Sequence, residues 1–82
     1  MKFGIYSVRD VKTGFMTPTI DQFDNSAARN FDSAIMSASS GLFATHSEDF
    51  MLYKIGEFDS DTGIVSPLAV IQLIREGGDV VV

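Results

Sequence analysis

The chain predicts an α+β domain: a small antiparallel sheet of two hairpins packed against one amphipathic helix, with a short helix near the C-terminus. Three observations carry this expectation. Residues 2–9 and 50–58 have the β-branched, aromatic and alternating character of strands. Apolar residues between 24 and 41 recur at helical spacing instead. Polar turns containing glycine separate the runs.

Taken in order, "KFGIYSVR" at 2–9 sets Phe3, Ile5 and Ser7 against Gly4, Tyr6 and Val8, the period of a strand. "DVKTG" is a polar turn whose glycine can take positive φ, and "FMTPTI" is the return strand. Pro18 has no N–H for a ladder, so that return strand is expected at an edge, or to stop there. Over 24–41, Ala27, Ala28, Phe31, Ala34, Ile35 and Ala38 form one helical stripe. Asp24 or Asn25 is the expected N-terminal cap, and Gly41 suits the stop. The stripe is small apart from Phe31 and Ile35, which lets the helix lie close against a sheet.

Residues 42–49 show no consistent period and read as a loop. In "FMLYKIGEF", 50–58, Phe50, Leu52 and Phe58 share a face with Lys54 and Gly56, while Met51, Tyr53 and Ile55 fall on the other. "DSDTG", 59–63, places Gly63 at the left-handed position of a bulged hairpin turn, and "IVS" pairs back. "SPLAVIQLIREGG" reads two ways. Ser66 as cap, Pro67 at the first helical position, Gln72, Arg75 and Glu76 on one side and Gly77 at the stop favour a helix, whereas Val and Ile also suit a strand. "DVVV" is an apolar tail suited to a sheet edge, including the edge of a partner subunit.

The length allows a single domain, 1–82, burying roughly 60% of its unfolded surface, so self-association into a homodimer would add stability. There is no cysteine, hence neither a disulfide nor a thiolate metal site, in keeping with a reducing compartment. The opening "MKFGIYSVRD" lacks the apolar run of a secretion signal, and no segment reaches the length of a membrane span. The net charge of -5 is opposite to that of most nucleic-acid binders. It is unevenly spread. Residues 1–20 hold Lys2, Arg9 and Lys12 against Asp10 alone, so any anion-binding surface is expected to involve this segment.

Catalytic and metal chemistry find little support. His46, Glu48 and Asp49 are close in sequence, but zinc needs three or four ligands, and there is no second histidine. Counting Asp59 as position 1 of a calcium loop puts Ile64 where glycine is needed and Val70 where glutamate is needed, so the aspartates read as turn formers. "KTGFMTP" and "EGGD" lack the spacing of a phosphate-binding loop, and no nucleophile motif accompanies the histidine. No enzyme activity, cofactor or metal is expected.

The remaining constellation is Lys2, Tyr6, Arg9, Lys12 and Phe15 on the N-terminal hairpin. Aromatic faces on a sheet stack single-stranded bases while cations follow the backbone. The alternative is that Phe3, Tyr6 and Phe15 form core and the cations solvate the turn.

"YSVRD" at 6–10, Phe15 to Pro18, Asn25 to Phe31 and "HSEDFMLYKIGEFDSDTG" at 46–63 resemble, in order and spacing, the small nonstructural protein of gokushoviruses, single-stranded DNA bacteriophages of the microvirus group. The similarity spans about the first 67 residues. Ser47 and Phe50 depart from the proline and tyrosine common in the family, and the tail after Pro67 matches loosely. The resemblance implies a protein made in the bacterial host cytoplasm, left out of the virion and concerned with genome replication or single-strand production. It brings no catalytic residues. The expectation that combines this resemblance with the aromatic and basic constellation is a single-stranded DNA-binding homodimer whose sheet presents Tyr6, Phe15 and Tyr53 to bases and sets Arg9, Lys12, Arg29 and Lys54 at phosphates. The competing expectation is a protein-interaction adaptor acting on phage or host replication proteins, for which an acidic surface suits a basic partner.

Overall fold

The alternating residues Lys2–Asp10 form the first strand, β1, and the rest of the sheet is organised around it. The structure is a computed structural model and describes residues 1–80. Phe50–Asp59 is β4 and Val65–Glu76 is β5, giving a sheet ordered β2-β1-β4-β5 in which all pairings are antiparallel. The return strand after the first turn is split in two, β2 (Gly14–Phe15) and β3 (Thr19–Asp21), which share one edge of β1.

Pro18 lies in the gap between them, as its missing N–H requires. The gap is not left unsatisfied. The Met16 N–H donates to the Val8 carbonyl at 2.8 Å, and the Ser7 hydroxyl donates to the Met16 carbonyl at 2.6 Å. The second hairpin turns as the sequence predicts: Gly63 has φ 75° and its N–H donates to the Asp59 carbonyl at 2.7 Å.

The expected C-terminal helix is not formed; residues 67–76 belong to β5. Helix signals at Ser66, Pro67 and Gly77 are local, whereas the Asp59–Gly63 turn returns the chain directly alongside β4. There Val65 pairs with Phe58 and Leu73 with Tyr53. Sheet pairing of a β-branched run outweighs a few tenths of a kcal/mol of helix propensity per residue. The chain then enters a 3₁₀ turn, Gly77–Asp79, and buries Val80 in the core, so the described part of the "DVVV" tail adds no strand. Residues 81–82 of that expectation lie outside the described residues.

The helix, α1, is Asp24–Met36, shorter than the 24–41 stripe. The expected side-chain cap at Asp24 or Asn25 does not occur: Phe23 holds the cap position without a side-chain bond, and Asp24 is already in the first turn. At the other end, the Ser37 hydroxyl donates to the Ser33 carbonyl at 2.6 Å, closing the last turn well before Gly41. Within the expected loop 42–49 are a short helix, α2 (Leu42–Thr45), and a 3₁₀ turn, Ser47–Asp49. Phe43 of α2 meets Phe50 edge to face at 4.6 Å.

α1 covers one face of the sheet. Ala27, Phe31 and Ile35 pack against Tyr6, Phe50 and Leu52, with Val80 closing the end and Val8, Phe43 and Ile74 around them. Arg75 of β5 donates to the Asp32 carboxylate at 2.8 Å, fixing the helix to the far strand. Gly77 sits where three segments converge: a methyl there would land on the Ser47 carbonyl oxygen and 2.7 Å from that of Phe50.

The other face of the sheet is open. On β1 it carries Phe3, Ile5, Ser7 and Arg9, opposite in parity to Tyr6 and Val8. The simple alternation expected for 50–58 does not persist. Tyr6 pairs with Lys54 but Ile5 pairs with Gly56, so Ile55 is an extra residue. This bulge puts Phe50, Leu52 and Lys54 on the helix side, and turns Phe58 onto the open face, where it meets Phe3 edge to face at 6.3 Å.

Candidate nucleic-acid interface

Three of the seven residues expected at a nucleic-acid site meet on the open face, at the end of the sheet near the first turn. Phe15 pairs across from Arg9 and Tyr53 across from Ser7, which brings their side chains to the same side. The Phe15 and Tyr53 rings meet edge to face with centroids 5.9 Å apart, and the Arg9 guanidinium carbon is 6.0 Å from the Phe15 ring centre. Phe15 remains 51% exposed, so part of its ring is offered to solvent. Lys12 is exposed in the adjoining turn, where its N–H donates to the Asp10 carboxylate at 2.9 Å.

The other three are elsewhere. Tyr6 is 1% exposed and lies under α1, where its hydroxyl donates to the Asp24 carboxylate. Its expected presentation to bases is corrected by this placement: on β1 it shares parity with Val8 rather than with Arg9, and the helix covers that side. Lys54 lies on the same buried face with its ammonium 3.6 Å from Asp24. Its charge is matched by a helix carboxylate rather than left for a phosphate. Arg29 is exposed on the outer side of α1, beside Ser33, on the opposite face of the molecule from Phe15.

The cations are therefore divided. Lys54 and Arg75 pair with Asp24 and Asp32 of the helix, whereas Arg9 and Lys12 make no salt bridge among the described residues. Two neighbours of the aromatic end were not singled out from the sequence. The Tyr53 hydroxyl reaches the Met51 sulfur at 3.8 Å, and Leu73 pairs across from Tyr53. Met51 shares the parity of Tyr53, so the alternation already contained the first of these. Leu73 lies in the segment that reads as either helix or strand, so its partner across the sheet was not legible.

Tyr6 has a second consequence. Burial first, then its hydrogen bond to Asp24 and the nearby negative charge, raise its pKa well above the ordinary tyrosine value. The folded protein holds the phenolic proton at pH values where the unfolded chain loses it. This contribution to stability is complete below about pH 10 and declines as pH rises further. Thermal melts across the alkaline range are expected to show a falling midpoint in the parent chain. The decline should be shallower in Tyr6→Phe, which keeps the ring and lacks the titrating group.

His46 lies between α2 and the 3₁₀ turn Ser47–Asp49, and no side chain caps that turn. His46 Nδ1 is 2.7 Å from the Thr45 hydroxyl, and among the described residues no three His, Cys, Asp or Glu side chains gather as metal ligands. No described helix is long and apolar enough to cross a membrane.

No curated protein and no solved structure matches the chain. A family model described as Phage ORF5 protein matches residues 3–80, nearly the whole chain and all of the exposed aromatic end, so the chain belongs to the Phage ORF5 protein family and is a bacteriophage protein.

Proposed function

We propose that this phage protein is a nonstructural protein that binds single-stranded DNA at the Arg9–Phe15–Tyr53 end of the sheet. It would act in viral genome replication or single-strand production in the bacterial host cytoplasm. The observation that carries the reading is Phe15: a half-exposed ring, braced from one side by Tyr53 and adjacent to the Arg9 guanidinium, which makes no salt bridge among the described residues. A base stacks on such a ring without regard to sequence, while Arg9 and Lys12 follow the phosphates. The resemblance of "YSVRD" and residues 46–63 to the gokushovirus nonstructural protein supports the same reading. The charge of -5 confines the contact to this end and makes it short and sensitive to salt.

Fluorescence anisotropy of a labelled oligonucleotide, titrated over a salt series, tests this. Phe15→Ala is expected to weaken binding by about 1–3 kcal/mol, roughly 5- to 150-fold. Arg9→Gln and Lys12→Gln should each flatten the logarithmic salt slope by about 0.7. Absence of binding at low ionic strength would refute the proposal.

A second reading, an adaptor that engages phage or host replication proteins, is favoured by one observation: the net charge of -5, which suits a basic protein partner and repels nucleic acid at long range. Purification from infected cells separates the readings. A stoichiometric protein partner without nucleic acid supports the adaptor.

A further inference from the structure

We propose that a second copy of this chain seats on the apolar end of the open sheet face, with the β5 bulge of each copy filling a groove of the other about a two-fold axis. The inference is independent of nucleic-acid binding.

The bulge follows from register. Lys54 pairs with Gln72 and Gly56 with Pro67, so Ile55 alone stands opposite the four residues Leu68–Ile71. β5 must arch away from the sheet to accommodate them. Val70, in this arch, is 79% exposed. Bulges commonly protect a sheet edge by twisting it away or by presenting charge. This one presents Leu-Ala-Val-Ile.

Beside the arch lies a groove of about 430 Å³ lined by Ile5, Pro18, Ile20, Ile55, Val65 and Pro67, with Gly56 and Ser66 completing it. Ile55 and Pro67 belong both to this groove and to the edge of the bulge. A projection and a recess of the same chemistry are thus adjacent on one surface. Under a two-fold rotation each copy offers its projection to the other's recess, and the contact closes at two subunits rather than growing into a filament.

Charge selects the occupant. Two chains of net charge -5 repel wherever their carboxylates face each other, and the stretch from Thr62 to Ile74 is where they can meet without doing so. A polynucleotide finds no cation there, and a basic protein finds no carboxylate. An uncharged apolar surface fits another of its own kind. Ile5 and Arg9 are four residues apart on β1, about 13 Å, so the Phe15 end stays open in the dimer.

Sedimentation velocity in the absence of nucleic acid tests the proposal. The parent chain is expected at twice its 8.9 kDa mass. Val70→Lys, at a position too exposed to disturb the core, should halve that mass, and Ile20→Lys in the groove wall should do the same. Met36→Lys, on the remote side of α1, should leave it unchanged. Circular dichroism melts establish that each variant is folded. Because the chain has no cysteine, a Val70→Cys/Ile20→Cys double variant provides a second readout: on oxidation it should give a covalent dimer. A parent chain that is monomeric at its highest soluble concentration, or that gains mass only with a foreign protein, overturns the inference. So does a dimer that persists in folded Val70→Lys.

Discussion

Phe31→Ala is expected to lower folding stability by about 3–5 kcal/mol. Phe31 is the largest side chain that α1 contributes to the core, 4% exposed and packed among Tyr6, Phe50 and Leu52. The helix has little else to offer, since its other buried residues are Ala27 and Ile35. Truncation removes the transfer free energy of the ring and leaves a cavity that a rigid sheet cannot close. A chain of this length holds roughly 4–12 kcal/mol in total. The variant should therefore sit near the edge of folding, with a urea midpoint shifted sharply down in a denaturation followed by circular dichroism. A midpoint within error of the parent would mean that α1 is not the lid of this core.

Gly77→Ala is the second large effect, and its origin is different. One added methyl at Gly77 would collide with the carbonyl oxygens of Ser47 and Phe50. Neither is the end of a flexible side chain; both are backbone, held in the 3₁₀ turn and at the start of β4. Relief requires the 3₁₀ turns Ser47–Asp49 and Gly77–Asp79 to separate, which would withdraw Val80 from the core. A loss of about 3 kcal/mol is expected, together with faster amide exchange in residues 77–80. Gly78→Ala is the control, because a methyl there meets only Glu48 at 3.5 Å, ordinary contact distance. Its stability should stay close to that of the parent.

The broad architecture was legible because its signals are local. The alternation of β1, the 3.6-residue stripe centred on Phe31 and the Asp59–Gly63 turn each lie within one short window, and each is present in the structure. What was not legible depends on residues distant in the chain. Ser66 and Pro67 look like a helix start in isolation, and only the proximity of β4 makes them strand. The extra residue at Ile55 is invisible to any alternation count, yet it changes which face Phe58 occupies. Tyr6 illustrates the same limit at the site. Parity separated Tyr6 from Phe3 and Ile5, but nothing in the surrounding residues says which side a helix 20 residues later will cover. Grouping Tyr6 with Arg9 and Phe15 was therefore undecidable, whereas Arg9 and Phe15 were correctly placed together by the tight turn between them.

β1 pairs with β4 along nearly its whole length, from Lys2 opposite Asp59 to Asp10 opposite Phe50. β1 is synthesised before β4 and must therefore wait for a partner made some fifty positions later, and until then its longer flank is uncovered. During that interval the nascent protein is most vulnerable to sticking or to proteolysis.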